Sequence, residues 1–305
     1  MAILDTTRPI TAAGCSEAIL NLVRTYPFCR TELLSATAFQ RPIRTLVIGE
    51  GPRKVLFSAS HHANEWITSL VLLEFVRELA DAVSREGSLL GVDAQMLLQA
   101  VTVYTVPMVD PDGVDLVVGA IRPGNIQFDL ARRISRDYPT IPFPSGWKAN
   151  LLGTDLNLNY PAGWEEAKAI KESQGFTSPA PRDYVGRTPL NQLETQALSG
   201  YTYAVDPALV VALHTQGQEI YWQFGEYEIP GARELGERMA AASGYRLADT
   251  PYVSSFAGYK DWFIQEFRRP GYTIEAGIGE NPLPISQFAE IYEACRPILL
   301  TAALG

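Results

Sequence analysis

Apolar side chains recur at two different periods along the 305-residue chain. KVLFSAS at 54–60, VTVYTVP at 101–107, ALVVAL at 208–213 and GYTIEA at 271–276 are short apolar, β-branched runs. Runs of this length and composition predict strands. Residues 65–84 instead place Ile67, Leu70, Val71, Leu73, Val76, Leu79 and Val83 at helical spacing. Residues 231–243 and 284–300 also read as helices. Thr188 followed by Pro189 has the form of a helix start, a hydroxyl cap with proline at the first position. PDG at 111–113 reads as a turn, and 119–150, rich in Gly, Pro and Arg, as a long loop region. Strands alternating with helices predict an α/β fold, a mixed, largely parallel central sheet flanked by helices. No repeat or linker divides the chain, so a single catalytic-size domain over 1–305 is expected.

Ligands of such sheets gather where loops leave the carboxyl ends of strands. All three histidines of the chain lie there. His61 and His62 follow the first predicted strand, in FSASHHANEWI, and His214 ends the third. Zinc takes imidazole nitrogens and carboxylate oxygens, and a catalytic site uses three protein ligands. His62 and Glu65 are three residues apart, which on a helical turn puts both on one side. His61 and Glu65, four apart, serve equally well on a helix. Adjacent histidines in extended backbone point to opposite faces, so His61 and His62 do not both aim easily at one ion. Local geometry does not choose between the two pairs. The plain alternative is a set of satisfied polar residues at the core edge.

Composition narrows the function classes. The net charge is −9 with a pI near 5.0, and no Lys/Arg cluster offsets it, which argues against nucleic acid as a partner. No apolar run reaches the roughly 18 residues of a membrane helix. The N-terminus MAILDTTRPITAAG lacks the pattern of a signal peptide. Cys15, Cys29 and Cys295 are odd in number and widely spaced, which suggests buried, reduced thiols and a cytoplasmic protein. Neither a phosphate loop, a dinucleotide fingerprint nor a GxSxG elbow is present.

HANEWI at 62–67, DPDGVD at 110–115, DLNLNYP at 155–161, His214 in ALHTQG and TIEAGIGENP at 273–282 together resemble the zinc metallocarboxypeptidase family, in order and across almost the whole chain. WKAN at 147–150, NYPAGWEE at 159–166 and HTQGQEIYW at 214–222 resemble its γ-D-glutamyl-meso-diaminopimelate peptidase (endopeptidase I) branch. The resemblance implies one Zn2+ held by His62, Glu65 and His214, with His61 turned away. It implies a zinc-bound water as nucleophile and Glu275 as general base. The family's oxyanion arginine corresponds to Lys148, which keeps the charge but not the planar fork. The family's carboxylate clamp corresponds to Asn157, which is retained, and to Leu158, where an arginine is lost; a further arginine position holds Asn64. The family's mobile tyrosine corresponds to Tyr252, one residue out of register, with Tyr259 as the alternative. Gln216 and Glu280 stand close to catalytic positions and could read polar groups of the substrate. The implied activity is hydrolysis of γ-D-glutamyl–diaminopimelate bonds in muropeptide-like peptides. The rival readings are a general carboxypeptidase on α-linked peptides, a deacylase of N-acyl amino acids, and a catalytically dead binding protein.

Overall fold

The computed structural model describes residues 3–305; Met1 and Ala2, the start of the segment read as lacking a signal peptide, lie outside the described residues. Eight strands form one sheet: β1 Cys29–Arg30, β2 Leu46–Ile48, β3 Arg53–Ala59, β4 Val101–Val106, β5 Leu209–His214, β6 Glu219–Tyr221, β7 Arg246–Ala248 and β8 Gly271–Glu275. Their spatial order is β1-β2-β4-β3-β5-β8-β6-β7. The central ladders β4/β3, β3/β5 and β5/β8 are parallel, and antiparallel pairs lie towards the edges. The sheet is therefore mixed with a parallel centre, as the alternation of strands and helices predicts.

Helices cover both faces, which is why the central strands are apolar almost throughout. Successive side chains alternate between two cores. Val55 and Phe57 of β3 with Val211 and Leu213 of β5 pack among α1 (Ala12–Thr25), α2 (Ile67–Ser84), α3 (Ala94–Ala100), α8 (Ala232–Ser243) and α10 (Phe288–Leu304). Leu56, Val210 and Ala212 face the other core, against α7 (Leu193–Val205) and α9 (Tyr259–Phe267). His214 and Glu275 close β5 and β8 and are register partners in that parallel pair, so they share a sheet face.

Three stretches differ from their sequence expectation. PDG is the first turn of a helix, α4 (Pro111–Val117), because Asp110 caps it by accepting from the Gly113 amide and Pro111 takes the first position. Gly113 is required by close approach, since a Cβ there would stand 2.7 Å from the Ala63 side chain. The loop expected at 119–150 contains α5 (Ile126–Ser135), whose inner face is only Phe128, Ala131 and Ser135, too thin an apolar stripe to register. Thr188-Pro189 does not start a helix. The Leu190 amide and the Thr188 carbonyl are bonded to Asn159, and α7 begins only after Gln192. The remaining helix, α6 (Trp164–Ser173), precedes the loop that reaches the site.

Candidate metal centre and substrate cleft

The chain leaves β3 through Ser60, in the left-handed region at φ 49°. The Ser60 amide donates to Thr68 Oγ1 and its hydroxyl pairs with that of Ser69, which pins the strand end to the start of α2. His62 stands in extended backbone ahead of a short turn, Ala63–Glu65, that runs into α2. This change from extended to helical backbone brings the side chains of His62 and Glu65 together. His62 Nδ1 lies 2.9 Å from Glu65 Oε1, and His214 Nδ1 lies 2.9 Å from Glu65 Oε2. The two Nδ1 atoms are 3.2 Å apart. His62, Glu65 and His214 form a buried set that could hold a metal ion. The donor set fits: two imidazole nitrogens and a carboxylate face one point, and no tautomer lets the two facing Nδ1 atoms satisfy each other and the carboxylate, whereas a cation accepts all three lone pairs.

His61 points elsewhere. It is fully buried, its ring stacked on His214 at 5.4 Å between centroids and its Nε2 3.5 Å from the Tyr160 hydroxyl. The backbone geometry places His62, and not His61, beside the Glu65 carboxylate.

Behind His62, Asp155 Oδ1 lies 3.0 Å from His62 Nε2 and accepts from the Asn157 amide. A carboxylate there favours a ring proton on Nε2, which would leave Nδ1 free to ligate a metal ion. Asp155 was within the DLNLN motif, but nothing local marked it as a partner of His62. Burial opposes its ionisation, yet the neighbouring His62 and Lys148 hold its carboxyl well below the usual range.

Two cavities open beside the centre. The larger, about 540 Å³, is lined by Asn64, Lys148, Arg182, Gln216, Glu275 and Glu280 among others. The smaller, about 190 Å³, is lined by His62, Asn157, Leu158, Lys260 and again Lys148, Arg182 and Glu275. Lys148, Arg182, Tyr221, Ser254 and Glu275 thus form their common wall. Lys148 Nζ reaches within 3.3 Å of Glu65 Oε1. Burial lowers the lysine's pKa, but Glu65 and Asp155 outweigh it and keep the ammonium charged. Glu275 has its pKa raised to about 8, first by burial and then by the charge of Glu65. Asn157 is fixed by accepting from the Tyr259 amide, and Gln216 by accepting from Gly279.

A zinc carboxypeptidase family model matches residues 16–296. The chain belongs to the zinc carboxypeptidase family. It is 39% identical over 282 residues to the gamma-D-glutamyl-L-diamino acid endopeptidase 1 of Lysinibacillus sphaericus, covering 92% of this chain and 69% of that one. Over 121 residues, 38% of this chain and 46% of the other, it is 36% identical to the murein peptide amidase A of Escherichia coli K12. Among solved structures it superposes on bovine thrombin-activatable fibrinolysis inhibitor with a TM-score of 0.73 at 15% identity, over 98% of this chain and 97% of that one. The protein is therefore a metallopeptidase of the zinc carboxypeptidase fold.

Within this zinc carboxypeptidase, two tyrosines stand apart from the cleft. Tyr252 is 70% exposed and its ring meets the edge of Phe256, while its neighbours Pro251 and Ser254 line the larger cavity. Tyr259 is core, its hydroxyl paired with Thr202. Sequence reasoning missed Arg182 and Tyr221. Tyr221 was visible in the quoted HTQGQEIYW; Arg182 sits in a loop with no motif of its own.

Proposed function

We propose that this metallopeptidase hydrolyses the γ-D-glutamyl–meso-diaminopimelate amide of peptidoglycan-derived peptides. The observation that carries the reading is the combination of a complete His62–Glu65–His214 set and a half-buried Glu275 with the absence of arginine at 64 and 158. The residues for amide hydrolysis are kept, and those for gripping an ordinary C-terminal carboxylate are not. The identity to a relative named for γ-D-glutamyl-L-diamino acid cleavage agrees with this.

His62, Glu65 and His214 would hold one zinc ion. Bound there, zinc polarises the scissile carbonyl and lowers the pKa of a water from about 15.7 towards about 7. Glu275 takes the proton from the attacking water and passes it to the departing amine. Its raised pKa suits both halves of that transfer, since a group near the working pH gives up a proton as readily as it takes one. Lys148, beside Glu65, supplies positive charge to the developing oxyanion as a point charge. Asp155 holds His62 in its ligating tautomer. Asn157 and Gln216 offer amides to the substrate from the two cavities, and the Tyr252 segment borders the larger one. Three unpaired, buried cysteines support turnover of released peptides in a reducing compartment such as the cytoplasm.

The test is incubation of the zinc-loaded protein with L-alanyl-γ-D-glutamyl-meso-diaminopimelate and mass-spectrometric identification of the products. Free diaminopimelate and L-alanyl-D-glutamate are expected, and chelation should abolish both. Undiminished turnover in metal-free protein, or cleavage at the alanyl bond alone, overturns the reading.

A further inference from the structure

The cleft lacks the family's arginines at 64 and 158 yet is not poor in cations. Lys148, Lys171, Arg182 and Lys260 all line it. Three of them are occupied. Lys148 faces Glu65, Lys171 Nζ lies 2.7 Å from Asp183 Oδ1, and Lys260 Nζ is held by Asp261 and the Gln223 carbonyl. Arg182 differs. Its Nε donates to Asp183 Oδ2 at 2.6 Å, and its two terminal nitrogens have no protein partner among the described residues.

The loop carrying it is built to hold that fork in place. The Pro181 carbonyl accepts from the Lys148 and Ala149 amides, the Asp155 amide donates to the Tyr184 carbonyl, and the Asp183 amide donates to Asp155 Oδ2. Asp183 sits at φ 65°, an uncommon conformation for a residue with a side chain, and Lys171 and Arg182 clamp its carboxylate from both sides. One aspartate, Asp155, thus braces His62 and the Arg182 loop together. The Arg182 side chain remains 44% exposed, towards the wall shared by both cavities. A planar fork with one edge anchored and the other free is the geometry that takes a carboxylate bidentately.

We propose that Arg182 is a specificity-determining residue whose free guanidinium edge pairs with a carboxylate of the substrate. The inference rests on the γ-glutamyl reading, because that linkage positions the ligand. A glutamyl residue joined through its γ-carboxyl keeps a free α-carboxylate on the carbon that bears the alanyl amide, whereas an α-linked glutamyl residue carries its free carboxylate at the end of an unbranched side chain. The diamino acid on the leaving side supplies carboxylates of the same chemistry.

The experiment measures binding of three peptides to zinc-loaded Glu275→Gln protein, with Arg182 intact, as Arg182→Gln and as Arg182→Lys. The peptides are the free γ-tripeptide, its glutamyl α-carboxamide, and the form amidated on the diaminopimelate carboxyls. Arg182→Gln is expected to weaken the free peptide on the order of 10- to 100-fold, with partial rescue in Arg182→Lys. The penalty should vanish for one amidated peptide, which names the carboxylate that Arg182 reads. An equal penalty on all three peptides, or none on any, overturns the inference. Zinc affinity measured alongside reports whether the fold is intact. The γ-linkage reading is judged separately, by which linkage the unaltered protein cleaves.

Discussion

Asp155→Asn probes the joint between the metal centre and the substrate cleft. The carboxylate faces three N–H groups: His62 Nε2 at 3.0 Å, the Asn157 amide at 3.2 Å and the Asp183 amide at 3.1 Å. Only a group with two acceptor oxygens serves all three. Asparagine keeps one oxygen and turns the other into an NH2 donor. If the oxygen stays near His62, the new NH2 meets the Asp183 amide and one buried donor is left unpaired. If the amide flips, the NH2 meets His62 Nε2, which must then give up its proton and carry it on Nδ1, the atom that should face the metal. An unsatisfied buried donor costs about 1–3 kcal/mol. Loss of such an outer partner typically lowers metal affinity about 10- to 100-fold. We therefore expect zinc to bind Asp155→Asn weaker by a factor in that range, measured by competition with a chromophoric chelator at fixed pH. Affinity within twofold of the wild type would refute the tautomer role of Asp155.

Glu275→Gln should lower kcat by about 10²–10⁴ while zinc affinity stays within a few-fold of the wild type, and unchanged turnover would remove Glu275 from proton transfer. Burial alone would lower the pKa of His62, but the charge of Glu65 prevails and raises it to about 9 in the metal-free protein. Zinc must displace that proton, so at neutral pH binding should release about one proton, and affinity should climb about tenfold per pH unit until His62 deprotonates near 9. Calorimetry in buffers of different ionisation enthalpy reads the proton count; zero release contradicts it. Glu194, in the core, has its pKa raised from 4.5 to about 7, chiefly by burial, with Asp112 adding to it. The folded state keeps a proton that the unfolded chain loses, so stability should fall as pH rises from about 4.5 to about 7, by up to about 3 kcal/mol. Glu194→Gln should flatten that slope in urea unfolding at pH 5 and pH 8; an unaltered slope counts against it.

The parts of the site legible in the sequence were those tied to strand ends. His214 and Glu275 close apolar runs, and a parallel sheet with covered faces leaves few other places for such residues. His62 against His61 was not decidable locally, because the choice depends on the turn at Ala63–Glu65 that interrupts the entry to α2. Arg182 and the His62–Asp155 pairing were illegible for a different reason. Both depend on bonds between segments 148–155 and 180–184, which no period or motif records. The same limit explains Thr188-Pro189, a sound local helix start overruled by hydrogen bonds to Asn159. Conversely, PDG carried its own helix signature in Asp110 and Pro111, and reading it as a turn weighed the glycine over the cap.

The central claim is that this zinc carboxypeptidase is built for γ-linked rather than α-linked glutamyl amides. Its most direct test is the ratio of kcat/KM for L-alanyl-γ-D-glutamyl-meso-diaminopimelate to that for the α-linked isomer, with the same zinc-loaded protein. A ratio well above one is the expected result, because the α-linked isomer offers its free carboxylate from a different branch of the glutamyl residue. A ratio at or below one contradicts the claim and returns the protein to the general carboxypeptidases.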